Sequence, residues 1–228
     1  MQLFRSILSR RMLALILCAV LIYVNAFTSV KVFAKVCTNQ PAFRCTANKQ
    51  AEADQAHNND LAITAKAAVL IDNASGRILY AKNKDKKLIP ASITKIMTLL
   101  LIFESIEQGK CKLEDKVTVS EYAASMGGSQ VFLEPGETQD VNTMIKCISI
   151  ASANDAAVAM AEHLAGSEQS FVKRMNKKAK ALGMKHTHFK NCNGLDDSIE
   201  SGHYSSAYDV ALMSQSLVSK YPDISKYS

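Results

Sequence analysis

The first apolar run in the chain, residues 12–24, carries no charge and follows Arg5, Arg10 and Arg11. A basic start, an apolar stretch too short to span a bilayer comfortably and small residues beyond it make the pattern of a secretory signal. Cuts after Ala26 or Ala34 both fit, and the polar character from Lys35 onward favours the second. An uncleaved N-terminal anchor is the alternative. Residues 1–34 are therefore set aside as a signal peptide, and under either reading the rest of the chain leaves the cytoplasm. Residues 35–65 are largely polar and without period, which predicts a linker. Residues 66–228 are left as one domain.

Within that domain the pattern predicts a hairpin first. Residues 67–71 form an apolar strand, 72–76 carry turn chemistry, and 77–80 return. Pro90 then breaks the chain just ahead of a predicted helix over 92–108, which Gly109 ends. Its apolar residues cover nearly every face, so it belongs in the middle of the domain. A short strand over 116–119 and turns at Gly127-Gly128 and Glu134-Pro135-Gly136 follow. Helices are predicted over 141–150 and 156–165 with a break at 151–155, and again from the Ser167 cap to Leu182. Residues 187–189 read as extended, 191–194 as a turn and 205–218 as a last helix. Helices dominate and strands are few, which predicts an α+β (mixed α/β) fold whose sheet is short of strands.

Composition narrows the classes. With 48% hydrophobic and 21% charged residues the chain has enough apolar material for a core. The net charge of +6 lies partly in the leader, and the lysines are scattered without aromatic interleaving, which argues against a nucleic-acid partner. A basic exported surface would instead be drawn to anionic wall polymers or lipid headgroups. After the leader the cysteines are Cys37, Cys45, Cys111, Cys147 and Cys192, an odd set with no zinc-finger spacing. They read as buried thiols with at most one bridge, Cys37 and Cys45 being close enough for it. His186 and His188 share a strand face but lack an acidic third ligand, so no metal is expected. Cys147 reads as a packing thiol, and Asp196, Asp197 and Glu200 as loop charges.

Chemistry concentrates at Ser92-Ile93-Thr94-Lys95. Residues three apart on a helix are neighbours, so the Ser92 hydroxyl can meet the Lys95 amine. Embedding Lys95 among Ile96, Met97 and Leu99 would desolvate it and lower its pKa, leaving part of it neutral and able to take a proton. A serine beside such an amine is an activated nucleophile. The competing reading, a capping serine and a surface lysine, is common for so short a motif. Ser152-Ala153-Asn154 supplies two polar side chains that project together from an extended break, with Ala153 turned away. The competing reading there is a helix cap.

Pro90-Ala91-Ser92-Ile93-Thr94-Lys95-Ile96-Met97-Thr98 strongly resembles the nucleophile segment of the serine D-alanyl-D-alanine carboxypeptidases, the low-molecular-weight penicillin-binding proteins. Further stretches resemble the same family in the same order: Val69-Leu70-Ile71-Asp72 with Ser75-Gly76, then Gly128-Ser129-Gln130-Val131-Phe132-Leu133. Ser152-Ala153-Asn154-Asp155-Ala156 comes next, followed by Thr187-His188-Phe189 with Asn193-Gly194-Leu195-Asp196, and by Tyr204-Ser205-Ser206-Ala207. The resemblance implies a β-lactamase/transpeptidase-like domain. It implies an acyl-enzyme on Ser92, with Lys95 as its base, Ser152 passing the proton to the leaving D-alanine and Asn154 orienting substrate and Lys95. It also implies a peptidoglycan stem peptide ending in D-Ala-D-Ala as substrate, β-lactams as inhibitors, and no cofactor.

The sequence departs from the family at one place. No Lys-Thr-Gly or Lys-Ser-Gly occurs in the 228 residues. In the family that motif lies on a later strand, which pairs with substrate and supplies a second oxyanion donor, so the domain is expected to be incomplete at its C-terminal part. Losing one such donor typically costs about 10²–10³ in rate. The family's C-terminal β domain and amphipathic anchor are also not found, so any peripheral membrane association would not come from an anchor within these residues. Two alternatives stand beside the carboxypeptidase: an impaired chain that only binds wall peptide or penicillin, and a β-lactamase. The latter is disfavoured by Ser-Ala-Asn where many β-lactamases carry Ser-Asp-Asn.

Overall fold

A helix with apolar side chains on all its faces has to be enclosed, and Lys95–Glu107 (α1) is. Met97, Leu100 and Ile102 are shut off from solvent, with Leu99, Leu101 and Phe103 nearly so. The structure, a computed structural model, describes residues 62–195 and 202–227. The predicted signal peptide, most of the predicted linker and the Cys37–Cys45 pair lie outside them.

Ahead of α1, Ala68–Ile71 (β1) and Ile78–Lys82 (β2) pair antiparallel, with Leu70 opposite Tyr80. Their turn is built by Asp72, whose side chain accepts the Ser75 N–H at 2.8 Å and whose carbonyl accepts the Gly76 N–H at 2.8 Å. Gly76 takes a φ of +71°, a left-handed conformation that favours glycine. After α1, Lys116–Thr118 (β3) pairs antiparallel with Thr138–Asp140 (β4) in a second two-stranded sheet. Glu121–Ala124 (α2) lies between them. The remaining helices are Val141–Ile150 (α3), Asn154–Ala165 (α4), Glu168–Ala181 (α5) and Ala207–Lys220 (α6), followed by a 3₁₀ segment at Pro222–Tyr227. α3, α4, α5 and α6 all pack on α1, and α6 also packs on β1. The fold is mixed α+β, rich in helix and with short antiparallel sheets.

Four helices begin as their sequences dictate. The side chains of Ser120, Asp140, Ser167 and Ser206 each accept a hydrogen bond from the backbone N–H three residues on. Such a cap satisfies one of the orphan donors of a helix start. The strand at β4 was not predicted, because Thr-Gln-Asp offers no apolar alternation and only pairing to β3 makes it extended. Among the described residues no helix is long and apolar enough to cross a membrane.

One expected boundary is corrected. The chain does not enter an α-helix at Ser92; Ala91–Thr94 is a 3₁₀ turn and the α-helix starts at Lys95. Ala91 sits at φ +46°, so the chain turns sharply just before Ser92, and the tighter 3₁₀ form is common at a helix start.

Because Ile102 is fully buried, Ile102→Ala is expected to lower stability by about 2–5 kcal/mol. Urea unfolding checks this: the midpoint should fall with the slope unchanged.

Candidate active site

Lys95 is the first residue of α1 and is buried, with 3% of its surface exposed. Its Nζ donates to Asn154 Oδ1 at 2.6 Å and to the Asn193 carbonyl at 2.8 Å, and stands 3.3 Å from Ser92 Oγ. Burial pulls its pKa down to about 8. The three partners are not alike. The two carbonyl oxygens can only accept, whereas the Ser92 hydroxyl can also donate. When Lys95 is neutral, its two N–H bonds go to the carbonyls and its lone pair is left for the Ser92 hydroxyl. Ser92 itself is exposed, so the oxygen that Lys95 faces can be reached from solvent.

Asn154, predicted as a site residue with a cap as the competing reading, is not the cap. Ala153 takes that position and Asn154 is the first residue of α4. Its backbone N–H donates to the Ser129 carbonyl at 2.7 Å and its Nδ2 to the Gly127 carbonyl at 2.7 Å, which turns Oδ1 towards Lys95. Gly128 is left no room for a side chain there, since a Cβ would stand 2.9 Å from Asn154 Nδ2.

Ser152 is half-buried at φ +55°, and among the described residues its hydroxyl has no hydrogen bond, to Ser92, Lys95 or anything else. The structure therefore joins Ser92, Lys95 and Asn154 through hydrogen bonds and leaves Ser152 outside that set. The two histidines considered for metal are apart in role: His186 Nδ1 lies 3.7 Å from Asp85 Oδ1, while His188 Nδ1 meets the Gly202 carbonyl at 2.7 Å. Cys111 and Cys192 are buried thiols and Cys147 is half-buried.

Several residues that hold this arrangement escaped the sequence reading. Asp155 is fully buried, and its carboxylate accepts from the backbone N–H groups of Val131 and Leu133, each at 3.1 Å. This grip turns Phe132 outwards at φ +60° and 77% exposure. Glu168 accepts the Cys192 N–H at 2.9 Å and the Tyr122 hydroxyl at 2.8 Å, and Thr98 Oγ1 donates to the Cys192 carbonyl at 2.6 Å. Together they fix the turn whose next carbonyl, that of Asn193, receives Lys95. Burial and the Glu168 carboxylate push the Cys192 thiol well above its usual range, so it stays protonated. Behind Ser92, buried His203 accepts the Lys190 N–H at Nδ1, 3.2 Å away, which leaves Nε2–H to donate to Thr94 Oγ1 at 2.9 Å. A single half-buried glutamate or buried histidine has no signature in a single sequence; the one available hint was Asp155, a carboxylate just ahead of the apolar run 156–161 of α4.

Over most of its length the chain is similar to known proteins. The family model described as D-alanyl-D-alanine carboxypeptidase matches residues 50–228. The chain is 57% identical over 178 residues to the D-alanyl-D-alanine carboxypeptidase DacF of Bacillus subtilis, a match that covers 78% of this chain and 45% of that protein. Among solved structures, penicillin binding protein 5 from Haemophilus influenzae superposes with a TM-score of 0.68 at 38% identity, covering 72% of this chain and 48% of that one. Penicillin-Binding Protein D2 from Listeria monocytogenes, in its ampicillin-bound form, superposes with a TM-score of 0.63 at 30% identity, covering 72% of this chain and 65% of that one. The chain thus spans about half the length of the first two proteins.

Gly194 packs hard against the Ala91–Thr94 turn: a Cβ there would lie 1.8 Å from the Ala91 carbonyl oxygen, and its φ of +84° suits glycine. Gly194→Ala is expected to cost about 1–3 kcal/mol or more and to displace Ser92. A thermal melt of that variant, alongside its rate of acylation, checks both effects.

Proposed function

The chain belongs to the D-alanyl-D-alanine carboxypeptidase family, and from that premise we propose that it removes the terminal D-alanine of peptidoglycan stem peptides through an acyl-enzyme on Ser92. The observation that supports this best is the hydrogen-bond set of Lys95: two acceptor-only partners and one hydroxyl, on an amine whose pKa is near 8. About a tenth of the molecules hold it neutral at pH 7, enough for a general base close to its working range.

In this reading Lys95 Nζ takes the Ser92 proton as Oγ attacks the carbonyl carbon of the penultimate D-alanine. The oxyanion forms next to the Ser92 N–H, at a helix start where partial positive charge favours it. Collapse breaks the peptide bond, and the proton that Lys95 took from Ser92 passes to the leaving D-alanine amine by way of Ser152, whose hydroxyl is unengaged by the described residues, which returns Lys95 to its neutral form. Water then frees the peptide and restores Ser92. Asn154 keeps Lys95 aimed and offers its amide edge to the substrate. The chemistry needs no cofactor. β-Lactams would acylate the same serine, because their strained amide resembles the D-Ala-D-Ala bond; the ampicillin-bound Listeria relative supports this. The proposed compartment is the periplasm or cell envelope, where the leader at residues 1–34 would deliver the chain and where the wall peptides are.

A second reading is favoured by one observation. With no Lys-Thr-Gly or Lys-Ser-Gly in these residues, nothing here is assigned to the substrate's terminal carboxylate, and the chain would bind penicillin and acylate without turning over peptide. Release of D-alanine from a pentapeptide separates the two readings.

Fluorescent penicillin is expected to label the purified chain and to leave Ser92→Ala unlabelled; labelling that survives this change removes Ser92 from the reaction. Lys95→Met should slow acylation by about 10²–10⁴-fold. The neutral amine is the active form and its folded pKa lies below that of free lysine. The acylation rate should therefore rise with pH, about tenfold per unit, and level off above about 8. A rate that falls across that range would contradict Lys95 as base.

A further inference from the structure

Away from Lys95, three side chains of unlike chemistry converge. The Cys111 thiol, an Asp115 carboxylate oxygen and a His163 ring nitrogen all lie within 4.8 Å of one another. Cys111 is buried, Asp115 half-buried and His163 exposed, so the cluster is reached from solvent on its imidazole side. The proposed acylation uses none of them. We propose that Cys111, Asp115 and His163 bind a zinc-class divalent cation, which clips the turn after α1 to the last turn of α4.

The donor set suits such an ion. Thiolate sulfur, imidazole nitrogen and carboxylate oxygen are the three protein ligands of zinc, with bonds of about 2.0–2.3 Å. Tetrahedral geometry at those lengths puts ligand atoms roughly 3.3–3.8 Å apart. The observed spacing therefore needs only a small contraction, which the exposed His163 ring can supply by rotating.

Two of the ligands are already held. Asp115 Oδ2 accepts the Lys112 N–H at 2.8 Å, and the Asp115 N–H donates to the Lys112 carbonyl at 3.2 Å, so Cys111 and Asp115 sit at either end of one closed turn. That turn is fastened to the start of α3, since the Asp115 carbonyl accepts the Val141 N–H at 3.1 Å and the Leu113 carbonyl accepts the Asn142 N–H at 3.0 Å. Asp115 Oδ1 is left for the cation. His163 stands in the last turn of α4, and among the described residues its ring has no hydrogen bond.

The charges also close. As the sulfur–metal bond forms, the thiol proton leaves for solvent. One thiolate, one carboxylate and a neutral imidazole then balance a divalent cation, so no net charge is left half-buried. Without the cation the thiol stays protonated, its sulfur 3.6 Å from the Lys112 carbonyl. The fourth position is open to water. The consequence for the fold lies at the other ends of the same two helices. α1 begins with Lys95 and α4 with Asn154, and these are already hydrogen-bonded. A cation would tie the pair at its far end as well.

The test uses the full chain, reduced and stripped by a chelator, titrated with Co²⁺ and then Zn²⁺. One equivalent of Co²⁺ is expected to give a thiolate charge-transfer band with the strong visible absorption of a tetrahedral site. Zn²⁺ should displace it and raise the melting temperature. Cys111→Ser should lose the band, and His163→Gln and Asp115→Asn should each weaken binding about a hundredfold or more, beyond the usual effect of an outer-shell partner. The paired change Cys37→Ser with Cys45→Ser should leave the band intact. No band in the unaltered chain would overturn the proposal, as would a band that survives Cys111→Ser or ignores His163→Gln. Should Cys111→Ser fail to fold, the exposed His163→Gln decides alone, with circular dichroism confirming its fold.

Discussion

An amine buried inside an apolar helix bundle must be given acceptors, and most of what positions this site follows from that need. Lys95 stands at the head of the most enclosed helix, and its acceptors come from far along the chain: Asn154 is 59 residues away and Asn193 is 98. If either loop shifted, an ammonium or amine would be left unpaired in the core, at a cost of several kcal/mol. α1, the start of α4 and the turn at Asn193 are thus held in register by one nitrogen. The same burial that demands the acceptors lowers the amine's proton affinity, so one packing arrangement supplies stability and, in the proposed mechanism, a base.

The supporting shell shares a feature. Ala91, Phe132 and Ser152 are three of the four described non-glycine residues with positive φ, and each lies in a segment bordering Lys95 or Asn154. Such conformations cost of order 1–3 kcal/mol each and persist only where surroundings over-determine them. Here the surroundings are visible: Asp155 grips both sides of Phe132, while Gly194 presses on the Ala91 carbonyl. Glu168, on α5, holds Cys192 and through it the Asn193 carbonyl. Strain around Ser92 and Asn154 is balanced by hydrogen bonds from other elements.

Much of this was legible beforehand, for identifiable reasons. The helices at 141–150 and after Ser167 follow from apolar period and from capping residues, which are local signals. Ser92 and Lys95 were legible because one helical turn brings them together whatever the rest of the chain does. The 3₁₀ form at Ala91–Thr94 was not, since the left-handed Ala91 packs against Gly194, a residue remote in sequence, and no local signal marks that contact. Nor was β4, whose polar residues become a strand only through β3. Asn154 was read together with Lys95, but the Gly127 and Ser129 carbonyls that hold it were not. Ser152, expected beside it in the cleft, sits in a left-handed turn that no local signal marks, and its hydroxyl makes no hydrogen bond among the described residues.

By itself, then, the sequence determined whatever depends on neighbours along the chain: periodic faces, caps, turns, and a hydroxyl one turn from an amine. Tertiary structure alone decided what depends on distant groups meeting. That includes the carbonyls that direct the Lys95 lone pair, the depth of burial that lowers its pKa, and the meeting of Cys111, Asp115 and His163 from a loop and a helix. Covalent connection and local sterics act over a few residues and can be read from one string. Hydrogen bonding and desolvation act through space, and their partners exist only after the chain has folded.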